Sequence, residues 1–176
     1  NDLVVTKRIF DTIVESGAQK IAIFYQDDAY GKDTFEYIKE LADENGEVEI
    51  AASASAPLDA QDVTPQMTTL RNANPDAVML QTGPPPLAAA AGRAAKQVGL
   101  EAPLYGGVGL VQTPFLETAG KAVEGMRLLG AGNPHDRSTD EANLADLVEA
   151  EGNEYTGIGL LTSNGVFALA EALKNI

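Results

Sequence analysis

Two adjacent carboxylates, Asp27 and Asp28, follow a short apolar run and precede the pair Tyr30-Gly31. Such a pair invites either a divalent-cation site or a phosphorelay aspartate, and both need more oxygen ligands converging from neighbouring strand ends. The third apolar run ends in Gln81-Thr82 rather than an acid, and the fifth runs into Leu129-Gly130-Ala131 where a phosphorelay would want a lysine. The two acids therefore read as solvated turn residues, or as the N-cap of a helix near Gly31. A flavin phosphate would need a Ser, Thr or Gly cradle at this turn, and Gln26-Asp-Asp-Ala-Tyr30 would repel it. No cofactor is expected.

Nucleophilic chemistry finds no better support. The lone histidine, His135, sits between Pro134 and Asp136 in a polar stretch. There is no Gly-x-Ser-x-Gly elbow to hold a serine beside it, and no His, Asp and Glu cluster has metal-ligand spacing. The absence of cysteine removes disulfides, thiolate catalysis and Cys-based metal sites together. With 26 acidic against 12 basic residues, the formal charge of −14 opposes nucleic acid and anionic membrane surfaces. No run approaches the roughly 18 apolar residues of a membrane span, so no membrane insertion is expected. The expectation is a binding protein, not an enzyme.

The elements that must position any site alternate regularly. Asp2 to Ser16 reads as a helix with Asp2 as N-cap and Gly17 as stop, followed by an apolar strand from Lys20 to Tyr25. A helix from Thr34 to Asn45 ends at Gly46, and Glu47–Ala51 alternates as a half-buried strand near an edge. Asp62 to Ala73 is a third helix, and Asp76 to Gln81 a third strand introduced by Asn74-Pro75. An Ala-rich helix from Leu87 to Val98, a strand from Pro103 to Tyr105, a short helix from Pro114 to Thr118 and a strand from Gly125 to Leu129 complete the pattern. This predicts an α/β fold: a doubly wound parallel five-stranded sheet, order 2-1-3-4-5, as in flavodoxin-like domains.

After Leu129 the pattern changes. A linker leads to predicted helices at Asp140–Glu151 and Leu161–Asn175, a helical tail without a clear strand. The expected organisation is a ligand-binding lobe over residues 1–130 and a linker with helical return over 131–176. In open α/β sheets, ligands bind beyond the carboxyl ends of the strands. The corresponding loops are Gln26–Gly31, Gln81–Pro86 and Gly106–Gln112. In the second loop Gly83 precedes three prolines that remove N–H donors, which leaves Gln81 and Thr82 as its polar candidates.

Four segments together resemble the second lobe of the branched-chain amino-acid-binding (Leu/Ile/Val-binding) family of periplasmic solute-binding proteins of ABC transporters. They are Ile23-Phe-Tyr-Gln-Asp-Asp-Ala-Tyr-Gly31, Gln66 to Val78, Gln97 to Gly107, and Ala119-Gly-Lys-Ala-Val-Glu-Gly125. The segment Ser163 to Leu173 resembles the helix that follows this lobe. The resemblance implies a type I fold and an extracytoplasmic protein, periplasmic or extracellular and lipid-anchored in some full-length forms. It further implies a small-molecule ligand, ABC-transporter membrane subunits as partners, and a clamp whose other lobe lies outside this sequence. Tyr30 matches a position where the family sets an aromatic residue against the ligand. Asp28, Gln81, Thr82, Gly83 and Gly107 share the same loops.

Val108 stands at or beside the position where amino-acid receptors of this family carry an acid for the ligand ammonium. A valine cannot balance a buried ammonium, at a cost of several kcal/mol, so an apolar or aromatic acid or a neutral amide fits better. The tail helix, with Val166, Phe167, Leu169, Ala170 and Leu173, is too apolar to stand in water. Self-association through it is expected, with intramolecular packing as the alternative. The rival readings are a free-standing flavodoxin-like signalling or interaction module, the ligand-binding sensor domain of a membrane receptor, and an enzyme on the same sheet.

Overall fold

A computed structural model describes residues 2–130 and Ala150. The chain divides into two compact units, Asn1–Leu129 and Gly130–Ile176. The predicted tail helices, and the linker beyond Gly130, lie outside the described residues apart from Ala150. In the first unit the order is α1 (Asp2–Glu15), β1 (Lys20–Gln26), α2 (Ala29–Asn45), β2 (Glu49–Ala56), α3 (Thr64–Asn72), β3 (Ala77–Gln81) and α4 (Pro85–Val98). Then come β4 (Leu104–Gly106), a 3-10 turn over Val108–Leu110, α5 (Thr113–Ala119), a second 3-10 turn over Gly120–Val123, and β5 (Arg127–Leu128). The five strands form one parallel sheet in the order β2-β1-β3-β4-β5, as the alternation predicts.

Strand side chains alternate between faces, and that alternation splits the core in two. Ile21, Ile23, Met79 and Tyr105 point toward α1 and α2, where Ile9, Phe10, Ile13, Ile38 and Leu41 bury against them. Ala22, Phe24, Val78 and Leu80 point the other way, onto Met67 and Leu70 of α3 and Leu87, Ala91 and Ala94 of α4. Alanine on α4 also leaves room for α5, whose Phe115 and Ala119 pack with Ala88 and Ala89.

Several boundaries differ from the sequence reading. Helix α2 starts at Ala29, five residues before Thr34, because the Asp28 carboxylate accepts the Gly31 N–H at 2.8 Å and caps it there. Asp2 lies inside α1 rather than ahead of it. Asp62 precedes α3 and accepts the Thr64 N–H at 2.9 Å. Strand β2 begins later than Glu47 and runs on to Ala56, since Ala52 to Ala56 pair with Ala22 to Gln26 of β1 beyond a register shift at Ile21/Ala22. Helix α4 takes in Pro85 and Pro86, in a first turn whose N–H groups need no intrahelical partner. Strand β5 shrinks to two residues because Gly125, at φ +84°, breaks the extended backbone before it.

Asp76 ties the entrance of β3 to that of β1. Its Oδ2 accepts the N–H groups of Lys20 at 2.8 Å and Gln19 at 2.9 Å, which holds the carboxyl below its ordinary value of 3.8. A depressed folded-state value adds stability that is present above the ordinary value and lost as pH falls through the folded one. Asp76→Ala should therefore melt below the wild type at pH 7, and the gap should narrow as the pH falls below 3.8. Thermal unfolding across that range checks this; a pH-independent gap would show that charge on Asp76 contributes nothing.

Candidate ligand-binding site

The carboxyl ends of β1, β3 and β4 carry Gln26, Gln81 and Gly106, and the three loops of interest leave from these residues. The first loop is short. Its Asp27 N–H reaches the Ala56 carbonyl at the end of β2 at 2.8 Å, and its Asp28 N–H reaches Gln26 O at 3.0 Å. Asp27 pairs with Lys32 at 2.7 Å, and that hydrogen bond raises the lysine pKa above its ordinary value. Tyr30 stands in the first turn of α2, 37% exposed. The helix is pinned to β1 just below it by the parallel stack of Phe35 on Tyr25, with ring centroids 4.7 Å apart.

Asp28 has both oxygens engaged within the fold: Oδ1 accepts Gly31 N–H at 2.8 Å and Oδ2 accepts Gln26 Nε2 at 2.7 Å. Gln26 is buried, and its Oε1 accepts the Gly83 N–H at 2.9 Å. One amide thus joins the first loop to the second. The second loop meets the third at Gly109, where an added Cβ would lie 3.3 Å from the Gly83 carbonyl oxygen. Gln112 Nε2 donates back to the Gly109 carbonyl and closes that turn.

Gln81 is buried and donates Nε2 to Thr6 Oγ1 at 2.9 Å, so it braces the start of α1 over the sheet. Thr82 is also buried, and its Oγ1 has no hydrogen-bond partner among the described residues. Gly107 lies against α1, its pro-Cβ position 3.5 Å from Ile9 Cδ1 and 3.7 Å from Val5 Cγ1. Val108 is half-buried at the start of the 3-10 turn, and its carbonyl accepts the Val111 N–H at 3.1 Å. Asp28, Gly83 and the Gly109 turn are thus brought together through Gln26. The Gln26 bonds do not extend to Val108.

The N-termini of α2 and α4 offer little to an anion. At α2 the cap is an acid and Gly31 N–H is taken; at α4, Pro85 and Pro86 carry no N–H and Ala88 N–H bonds Pro84 O at 3.3 Å. Sequence reasoning missed Gln26 and Thr6. The available signal for Gln26 was an amide ending an otherwise apolar strand, a position where a buried polar group must find partners.

A family model described as a periplasmic binding protein matches residues 4–176. Among solved structures, a leucine-binding protein from Thermotoga maritima superposes with a TM-score of 0.79 at 22% identity, over 97% of this chain and 49% of that one. An extracellular ligand-binding receptor from Verminephrobacter eiseniae gives 0.78 at 21%, over 91% and 47%. A periplasmic binding protein type 1 from Bordetella pertussis gives 0.75 at 22%, over 85% and 40%. The chain therefore spans about half the length, or somewhat less, of these structures. No curated protein sequence matches it significantly.

Proposed function

This chain belongs to the periplasmic binding protein family, and we propose that it supplies one lobe of an extracytoplasmic receptor that captures a small organic solute for an ABC importer. The family match over residues 4–176 carries this reading. The family is a class of solute-binding proteins acting outside the cytoplasm, and no helix among the described residues is long and apolar enough to cross a membrane. Capture works by clamp closure: the solute stabilises a closed two-lobe state through its greater affinity for it. Lipid anchoring of the full receptor and self-association through the segment around Val166–Leu173 belong to the same proposal.

The ligand face on this lobe is formed by Tyr30, Thr82, Gly83, Gly107 and Val108, with Asp28 holding the first loop. Val108 is apolar, both Asp28 oxygens are taken inside the fold, and the buried Thr82 hydroxyl lacks a partner among the described residues. Such a face favours an uncharged part of the ligand. A ligand ammonium would be left without a counter-charge at several kcal/mol. The solute is accordingly an amide, or an aliphatic or aromatic acid whose carboxylate is held by the other lobe, without an α-amino group.

Thermal-shift screening of the two-lobe receptor that carries this chain tests this against leucine, valine, 4-methyl-2-oxopentanoate, phenylacetate and benzamide. A ligand at 100 times its Kd should add about 2.7 kcal/mol of stability. The largest shift is expected from a compound without the amino group. A dominant response to leucine or valine overturns the charge selectivity, and no response to any compound counts against the receptor reading.

A further inference from the structure

We propose, resting on the receptor reading above, that Gln26 is a positioning residue that sets the spacing of the ligand loops before any solute arrives. Its amide spans two loops with no slack, donating to Asp28 Oδ2 at 2.7 Å and accepting from Gly83 N–H at 2.9 Å. The side chain is 5% exposed, so water cannot easily replace either bond. Asp28 in turn caps α2 through Gly31, the residue after Tyr30, so the bond to Asp28 also fixes where Tyr30 begins its helix. On the other side Gly83 adjoins Thr82 and lies against Gly109. A single buried side chain therefore fixes the aromatic, hydroxyl and glycine-turn parts of the face relative to one another.

The physical consequence is preorganisation. A solute that meets loops already at their bound spacing does not spend binding free energy on ordering them. At neutral pH only a carboxamide serves both neighbours. A carboxylate at this place would repel Asp28, and an apolar side chain would leave an Asp28 oxygen and the Gly83 N–H unsatisfied.

Gln26→Met and Gln26→Glu in the full chain test this by two readouts. The first is amide hydrogen exchange followed by NMR, which needs no ligand. In Gln26→Met the protection of the Gly83 N–H should fall at least ~10-fold, while Met79 and Leu80 in the core of β3 keep theirs. Unchanged Gly83 protection, or an equal fall at Leu80, overturns the proposal, because the second outcome marks general destabilisation. In Gln26→Glu the protection should be low at pH 8 and recover on acidification, when the new carboxyl gains a proton to donate to Asp28. Wild-type protection should stay flat. The charged groups on the two loops are Asp28 and Asp27, the latter paired with Lys32, and the Gln81–Pro86 loop carries none. An absence of acid recovery also overturns the role assigned to the amide.

The second readout is the affinity of the two-lobe receptor that carries this chain for benzamide and 4-methyl-2-oxopentanoate. Gln26→Met should weaken the better of these by about 10-fold, or ~1.4 kcal/mol, and equal affinity overturns positioning. If the wild type binds neither probe, the receptor reading is what fails, and the exchange data alone decide the role of Gln26.

Discussion

Gly31→Ala is expected to destabilise the described unit by about 3 kcal/mol, at the upper end of overpacking effects. An ideal Cβ at Gly31 would lie 1.8 Å from the Gln26 carbonyl oxygen and 2.8 Å from its carbonyl carbon. The clash is with backbone, not with the tip of a side chain that could rotate away. Relief requires the first turn of α2 to move off the end of β1, which breaks the 2.8 Å bond from Gly31 N–H to Asp28. For a unit of this size the loss corresponds to a melting point roughly 10 °C lower. Gly46→Ala is the useful comparison: it also removes a glycine, at φ +73°, but nothing lies within 4 Å of the added carbon. It should cost only about 1 kcal/mol, the penalty of the left-handed conformation. Urea unfolding that ranks the two variants equally would remove the steric argument.

Phe24→Ala should cost about 3–5 kcal/mol. Phe24 is fully buried in β1 two residues before Gln26, within the cluster formed with Met67, Leu70, Leu80 and Leu87. Its removal leaves a void between the sheet and the α3–α4 layer that neighbouring alanines are too short to fill. Leu116→Ala on α5, where the side chain is 53% exposed, should change stability by less than about 0.5 kcal/mol. Equilibrium unfolding of both variants reads out the difference, and a loss below 1 kcal/mol for Phe24→Ala would mean that the layer collapses onto the gap. Because Phe24 acts from beneath the strand end, its loss should lower exchange protection at Gly83 and Leu80 together. Gln26→Met lowers only the first.

The sequence alone determined the number of strands in the described unit, their parallel sense and their order. Those follow from periodicity: Ile21, Ile23 and Ala22, Phe24 must face opposite ways, and each of the first four strands is followed by a helix that returns the chain to the same end of the sheet. The four family segments were legible for the same local reason, since Tyr30-Gly31 and Gly106-Gly107 are contiguous in the chain. Places where a side chain outbids the local pattern were not legible. Ala52 to Ala56 became strand only because β1 lay alongside to pair with them, and although a cap near Gly31 was one reading of the acid pair, the helix pattern still placed the start of α2 at Thr34 rather than Ala29. The site divides in the same way. Which loops gather at the strand ends follows from topology, but the use made of each polar group depends on residues far apart in sequence. Gln26 and Gly83 are separated by 57 positions, and Gln81 and Thr6 by 75. A buried amide must be satisfied, and its partners are whatever the sheet order brings within 3 Å. The cap at Asp28 was one of the two readings the sequence left open for the acid pair, but only the tertiary structure could decide that Gln81 braces α1 and that Gln26 joins two loops at the strand ends.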